Sequence, residues 1–212
     1  MEIIKITDYK KTRKKITLED NSSILLYNNE LKKYGLEEGG RISEDTYLII
    51  IKVLKSRAKE RALYLIKNSD KTEKMIRDKL KMSYYPNEVI DYVVDYLKSY
   101  NFIDDKRYCR SYIIAKSKSK SMYHITMELK NKGIDKELIK EVLEEANETD
   151  DDAVTSITAE HAIKKLLKAR KFEQKYTDSK EKYKILMYIL SKGFSYDDIN
   201  DAMESYLREF SE

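Results

Sequence analysis

Proline is nearly absent from this chain of 212 residues, Pro86 being the only one, and glycine occurs five times. Scarce breakers beside abundant Lys, Glu and Leu favour helix over sheet. Cysteine occurs once, at Cys109. No intrachain disulfide can form, which suits a reducing cytoplasm. At a helical core spacing a lone Cys is a small buried hydrophobe rather than a nucleophile. No apolar run reaches about 18 residues, so no membrane helix is expected. The first residues lack the long apolar stretch of a secretory leader. A cytoplasmic location is the expectation.

The motifs of catalysis are missing too. The two histidines, His124 and His161, have no Cys, Asp or Glu at metal-ligand spacing around them. No P-loop, G-x-G-x-x-G or H-E-x-x-H run occurs, and no Ser, His and Asp set has a local signature. Asp104-Asp105 is the one carboxylate pair that invites a catalytic role. It falls just before a helix, where Asp104 is read as the cap and Asp105 as favouring the positive helix end. No enzyme activity, metal or cofactor is expected.

What the chain does have is charge, tyrosine and periodicity. Charged residues make up 38% and hydrophobic ones 41%, so apolar positions are numerous enough to build cores. Tyrosine occurs 18 times, and its apolar body and polar tip suit thin helical bundles whose cores lie near solvent. The net charge is +4, unevenly spread. Residues 106–132 hold eight bases against Glu128, a local +7. Residues 135–152 hold nine acids against two bases, a local −7. Residues 164–184 hold nine bases against three acids, a local +6. Two readings stand side by side: solvated helix faces, or basic faces that meet phosphate or an acidic protein surface.

Residues 1–42 read differently from the rest. Residues 2–9 and 15–18 alternate as strands do, with Ile4, Ile6, Ile16 and Leu18 on one face. Asp20-Asn21-Ser22 is a turn signal, and residues 23–27 form a third short strand. A short helix over 29–34 ends at Gly35, and Gly39-Gly40 marks a break. Ser43 then caps a helix that runs through Leu48, Ile51 and Leu54, with room to continue past Ala58 to Leu65.

An internal repeat follows. Ile76, Leu80, Tyr84, Tyr85, Ile90, Val93 and Val94 align with Ile125, Leu129, Gly133, Ile134, Ile139, Val142 and Leu143. They align again with Ile185, Ile189, Gly193, Phe194, Ile199, Ala202 and Met203. Each copy has two amphipathic helices around a turn. A third helix precedes each pair, over 57–67, 105–116 and 159–172. The expected fold is mainly α, with three tandem three-helix units after a small N-terminal antiparallel β element. The boundaries are 1–42 for the β-containing extension, 43–104 for a linking helix plus unit 1, 105–147 for unit 2 and 148–212 for unit 3. The acidic 147–158 stretch is read as a hinge or as the start of the next helix.

Residues 116–121, Lys-Ser-Lys-Ser-Lys-Ser, read as a flexible connector that presents ammonium groups, with a solvated linker as the plain alternative. Tyr108, Tyr112 and Tyr123 lie near it. Tyr108 and Tyr112 have the spacing of core residues, and all three have faces on which bases stack. The expected contact surface is Lys106, Arg107, Arg110, Lys116, Lys118 and Lys120, helped by Lys130 and Lys132. A second basic face holds Lys164, Lys165, Lys168, Arg170, Lys171 and Lys175.

Two stretches carry a family resemblance. Tyr100-Asn101-Phe102-Ile103-Asp104-Asp105-Lys106-Arg107-Tyr108-Cys109 resembles the RecX signature G-ϕ-ϕ-D-D-x-x-ϕ-A. Ile125-Thr126-Met127-Glu128-Leu129-Lys130-Asn131-Lys132-Gly133-Ile134 resembles its I-x-x-E-L-x-x-K-G-I. Asn101 stands where Gly is usual, a mild change because Asn tolerates the left-handed region. Cys109 replaces Ala, and Ser121 stands near a usual Gly. The resemblance covers about residues 50–210 and is weakest after Asn147. It implies tandem three-helix units in a curved helical-repeat body. It also implies binding in the groove of a RecA filament on single-stranded DNA, where the protein inhibits or tunes ATP hydrolysis, strand exchange and co-protease activity. No catalytic residue comes with it. A monomer without membrane association is expected, with weak direct DNA contact as an addition. The alternatives are a helical protein that binds nucleic acid directly and a repeat scaffold for another protein.

Overall fold

A computed structural model describes residues 1–148 and 159–211. The chain forms two compact units, Met1–Asp104 and Asp105–Glu212.

The first unit opens with an antiparallel sheet in the order β1 (Ile3–Tyr9), β2 (Arg13–Leu18), β3 (Ser23–Tyr27). Asn21, at φ 60°, makes the tight turn before β3, and the Ser22 amide donates to Asp20 Oδ1 at 2.9 Å. Ile16 and Leu18 face the core as the alternation predicts. Ile4 does not: it is 53% exposed, while Ile3 is buried. The cause is a register shift. Ile3 pairs with Leu18 but Lys5 pairs with Thr17, so an extra residue bulges from β1 and the alternation slips by one. Ile6, beyond the bulge, packs on the core again.

α1 (Asn28–Tyr34) ends at Gly35 in the left-handed conformation. α2 (Glu44–Lys67) is one continuous helix. The Ser43 hydroxyl caps it by accepting from the Thr46 amide at 3.2 Å. Residues 57–67, the leading helix of the first unit in the repeat, are its C-terminal half, so the Ser43 helix does continue past Ala58 to Leu65. No breaker interrupts 44–67, so the linking helix and the first helix of the first three-helix module are one rod. α3 (Glu73–Lys81) and α4 (Asn87–Ser99) pack on it and on each other. The sheet, α2, α3 and α4 share one core that includes Ile16, Leu26, Leu54, Ile76, Leu80, Val93 and Leu97.

The second unit holds two further modules. The first is α5 (Asp105–Ser117), α6 (Met122–Asn131) and α7 (Lys136–Glu148), around Cys109, Ile113, Ile125, Leu129, Ile134, Ile139 and Val142. Burial pushes the Cys109 thiol up to about 11, which leaves it a protonated core residue. The next is α8 (Ala159–Ala169), a 3₁₀ turn (Phe172–Gln174), α9 (Ser179–Leu190) and α10 (Tyr196–Ser211). Its core includes Ile163, Leu167, Phe172, Ile185, Ile189 and Ile199. The stretch read as a hinge lies, from residue 149 to Thr158, outside the described residues; Asn147 and Glu148 are the last residues of α7.

The repeat is visible in the backbone. Tyr84, Gly133 and Gly193 occupy the same place in the three modules, and all have positive φ, at 58°, 88° and 85°. The residue after the turn reaches back across it in the first two modules: Tyr85 N to Leu80 O, 3.3 Å, and Ile134 N to Leu129 O, 3.0 Å. This is the Schellman closure of a helix end, which needs a left-handed residue.

Candidate functional site

The 106–132 stretch is built on α5, α6 and the turn between them. That turn is not the flexible connector expected. α5 continues through Ser117, which is buried and donates to Ile114 O at 3.2 Å. The amides of Ser119 and Lys120 close on Lys116 O at 2.9 and 3.0 Å. Ser121 caps α6 by accepting from His124 N at 3.3 Å. The serines between the lysines therefore tie one helix to the next, in the roles Ser takes at helix ends.

The structure sorts the expected contact residues into groups. Lys106 turns to α7 and donates to Glu141 at 2.8 Å and Glu145 at 2.5 Å. The Glu141 and Glu145 hydrogen bonds hold its pKa above the ordinary lysine value. Lys120 pairs with Glu128, which also accepts from the Tyr112 hydroxyl at 2.8 Å. The Lys120 and Tyr112 hydrogen bonds hold the Glu128 carboxyl below its usual range, against a smaller opposing effect of burial. Lys116 and Lys132 lie over the Tyr112 ring, 5.8 and 5.4 Å from its centre. Lys118, Lys130 and Arg107 are exposed, and Arg110 is half-buried. Tyr108 and Tyr112 stack 5.8 Å apart against the module's core, whereas Tyr123 is 70% exposed.

The second basic face is divided in the same way. Lys164 pairs with Glu160 at 2.8 Å and Glu209 at 2.5 Å. Lys175 lies 3.6 Å from Glu181. The Arg170 guanidinium lies 3.8 Å from the centre of the Tyr188 ring. Lys165, Lys168 and Lys171 are exposed.

A third cluster went unseen in the sequence. In the first unit a cleft of about 530 Å³ is lined by Lys10, Arg13, Arg57 and Arg61 together with Tyr9, Tyr27, Tyr84 and Tyr85. Its cations come as two pairs, Lys10 and Arg13 from the β1–β2 turn and β2, Arg57 and Arg61 from α2, too far apart in the chain for one charge window to join both. Two signals were available: the five bases within residues 10–15, and the helical spacing that puts Arg57 and Arg61 four apart on one face.

Tandem three-helix modules after a small sheet define a class of helical-repeat protein. Family models agree module by module. The first three-helix domain of RecX matches residues 58–97, the second 104–143 and the third 159–203. The regulatory protein RecX of Clostridium acetobutylicum is 31% identical over 219 residues, covering 98% of this chain and 97% of that protein. That of Clostridium botulinum is 30% identical over 173 residues, 79% of each chain. A crystal structure of a regulatory protein RecX superposes with a TM-score of 0.54 at 26% identity, covering 94% of this chain and 98% of that one. The chain belongs to the RecX family of regulatory proteins. Among the described residues no helix is long and apolar enough to cross a membrane.

Proposed function

We propose that this protein binds RecA recombinase filaments on single-stranded DNA and lowers their ATPase, strand-exchange and co-protease activities. The observation that carries the reading is the match of all three RecX domains, in order, along one chain. In this reading the divisions 1–42, 43–104, 105–147 and 148–212 act as an extension and three contact modules on a monomer. The contact runs through the second module, on Lys116, Lys118, Lys130 and Lys132. Lys106 and Lys120 hold that module together through their carboxylates. Lys118 and Lys130 are exposed and Lys116 and Lys132 half-buried; together they attract a polyanionic filament over about a Debye length, ~8 Å at physiological salt, so binding is salt-sensitive and reversible.

The test is RecA-dependent ATP hydrolysis on single-stranded DNA, titrated with this protein. Saturable inhibition is expected at concentrations near that of the filament. Unchanged hydrolysis with demonstrated binding would leave a partner without an inhibitor. A second reading, direct nucleic-acid binding, is favoured by the exposed Tyr123 ring near the basic turn. A gel shift on naked against RecA-coated DNA separates the two.

A further inference from the structure

The first module departs from the other two at the repeated turn. Where they carry Gly133 and Gly193, it carries Tyr84 at φ 58°. A side chain other than glycine is strained in the left-handed region. Such strain persists where the surroundings over-determine it, and it concentrates at binding sites. Tyr84 is held on one wall of the cleft in the first unit. The Lys15 ammonium lies 4.6 Å from its ring centre, and the Tyr9 ring meets it edge-on at 5.7 Å.

Across the cleft, Tyr27 lies under two guanidiniums, Arg13 at 4.7 Å and Arg57 at 4.6 Å from its centre. Arg13 also donates to the Tyr27 hydroxyl at 2.7 Å. Arg57 is already engaged, forked onto the buried carboxylate of Glu30. That pair fixes the wall and leaves Arg13, Arg61 and Lys10 as the cations with capacity for a ligand. Burial holds the Tyr85 phenol above its ordinary pKa, against the smaller opposing pull of Arg13, Arg57 and Arg61. Glu60 is the single acid among the described lining residues.

Guanidiniums answer phosphate oxygens, and tyrosine faces answer a planar base. A bare anion leaves the aromatic walls unused. A volume of about 530 Å³ lies within the ~300–1,000 Å³ of small-ligand sites. We propose that this cleft binds a nucleoside phosphate, free or as one residue of a single strand. The phosphate sits on Arg13, Arg61 and Lys10, and the base among the tyrosines. The site belongs to the first unit, and the proposal does not rest on the filament contact proposed above.

The test uses the full chain and fluorescence anisotropy at physiological salt, with fluorescently tagged ADP and a short tagged oligothymidylate as probes. Binding of both identifies the free nucleotide as a ligand, and binding of the oligonucleotide alone identifies the strand. Arg13→Gln/Arg61→Gln is expected to weaken whichever probe binds at least tenfold, with melting unchanged. Arg13 also supports Tyr27, so a second variant guards against misfolding. Lys10→Asp reverses a charge on an exposed turn and keeps a residue that tolerates positive φ; a loss of about threefold or more is expected. Lys118→Glu/Lys130→Glu in the second module should leave this binding intact. The proposal is overturned if wild type binds neither probe, if Lys10→Asp binds as wild type does, or if binding follows the second-module lysines instead.

Discussion

The basic stretch of the second module and the cleft of the first unit gather their cations by opposite routes. In 106–132 the bases are dense along the chain, but Lys106 and Lys120 are drawn onto Glu141, Glu145 and Glu128 of the same module. The cleft takes Lys10 and Arg13 from the short basic run 10–15 and Arg57 and Arg61 from α2, and folding brings the two distant pairs around one space. A charge window measures distance along the chain. A helix sends neighbouring residues to different faces, so part of any basic run meets its own module's acids. The same lesson covers the acidic 135–152 block, whose Glu141 and Glu145 serve as internal partners for Lys106.

The two regions also differ in what their ion pairs do, and this yields the largest predicted effect. Glu30 is buried, and Arg57 is its fork-shaped partner. Arg57→Ala strands that carboxylate and should cost about 3–5 kcal/mol in urea unfolding. Burial pushes the Glu30 pKa up, but the Arg57 and Tyr27 hydrogen bonds outweigh it and hold the carboxyl below its usual range. Glu30 therefore stabilises the fold fully above the unfolded carboxylate value, and this stabilisation is lost as pH falls through the lowered folded value. Glu30→Gln should flatten the acid limb of the stability–pH curve. An unchanged limb would show that the pair adds nothing.

Core truncation comes next. Leu80 and Leu129 hold matching places in the first two modules, and both are fully buried. Leu80→Ala and Leu129→Ala should each cost about 2–5 kcal/mol. The difference should lie in extent. Leu80 belongs to the large core shared with the sheet, whereas Leu129 belongs to a core with seven buried members among the described residues. Hydrogen exchange should therefore show Leu129→Ala loosening 105–143 while the sheet stays protected.

A smaller effect is expected at Gly193. A Cβ there would lie 2.7 Å from Ser121 Oγ and 2.8 Å from His124 Cγ, at a φ of 85°. Gly193→Ala should cost about 1–3 kcal/mol by overpacking. Full stability would mean that the turn relaxes away from α6. Smallest of all, Lys120→Ala removes a partly exposed pair and should cost no more than about 1 kcal/mol. A loss as large as that of Arg57→Ala would erase the distinction between the two regions.

Much of the fold was legible in local pattern. The capped start at Ser43, the three strands and the aligned apolar positions of the modules all appear where spacing placed them. Their signals lie within a few turns of chain. The failures share one cause, since each depends on partners distant in sequence or on register. Ile4 alternates correctly until the β1 bulge turns Ile3 inward. The serines of 116–121 look like linker composition until Ser117 is buried and Ser121 caps α6. Of the site, the sequence showed which lysines exist but not which carboxylates claim them. Tyr84 showed only as a repeat position that lacks glycine.

The most direct measurement is binding to RecA-coated single-stranded DNA by two paired-lysine variants matched for melting temperature. Lys118→Glu/Lys130→Glu changes exposed cations, and Lys106→Gln/Lys120→Gln changes those held by carboxylates within the module. The first should bind at least tenfold more weakly than wild type, about 1.4 kcal/mol, and the second within about twofold of it. Wild-type affinity in the first variant would contradict the account and move the contact to the face that carries Lys165 and Lys168.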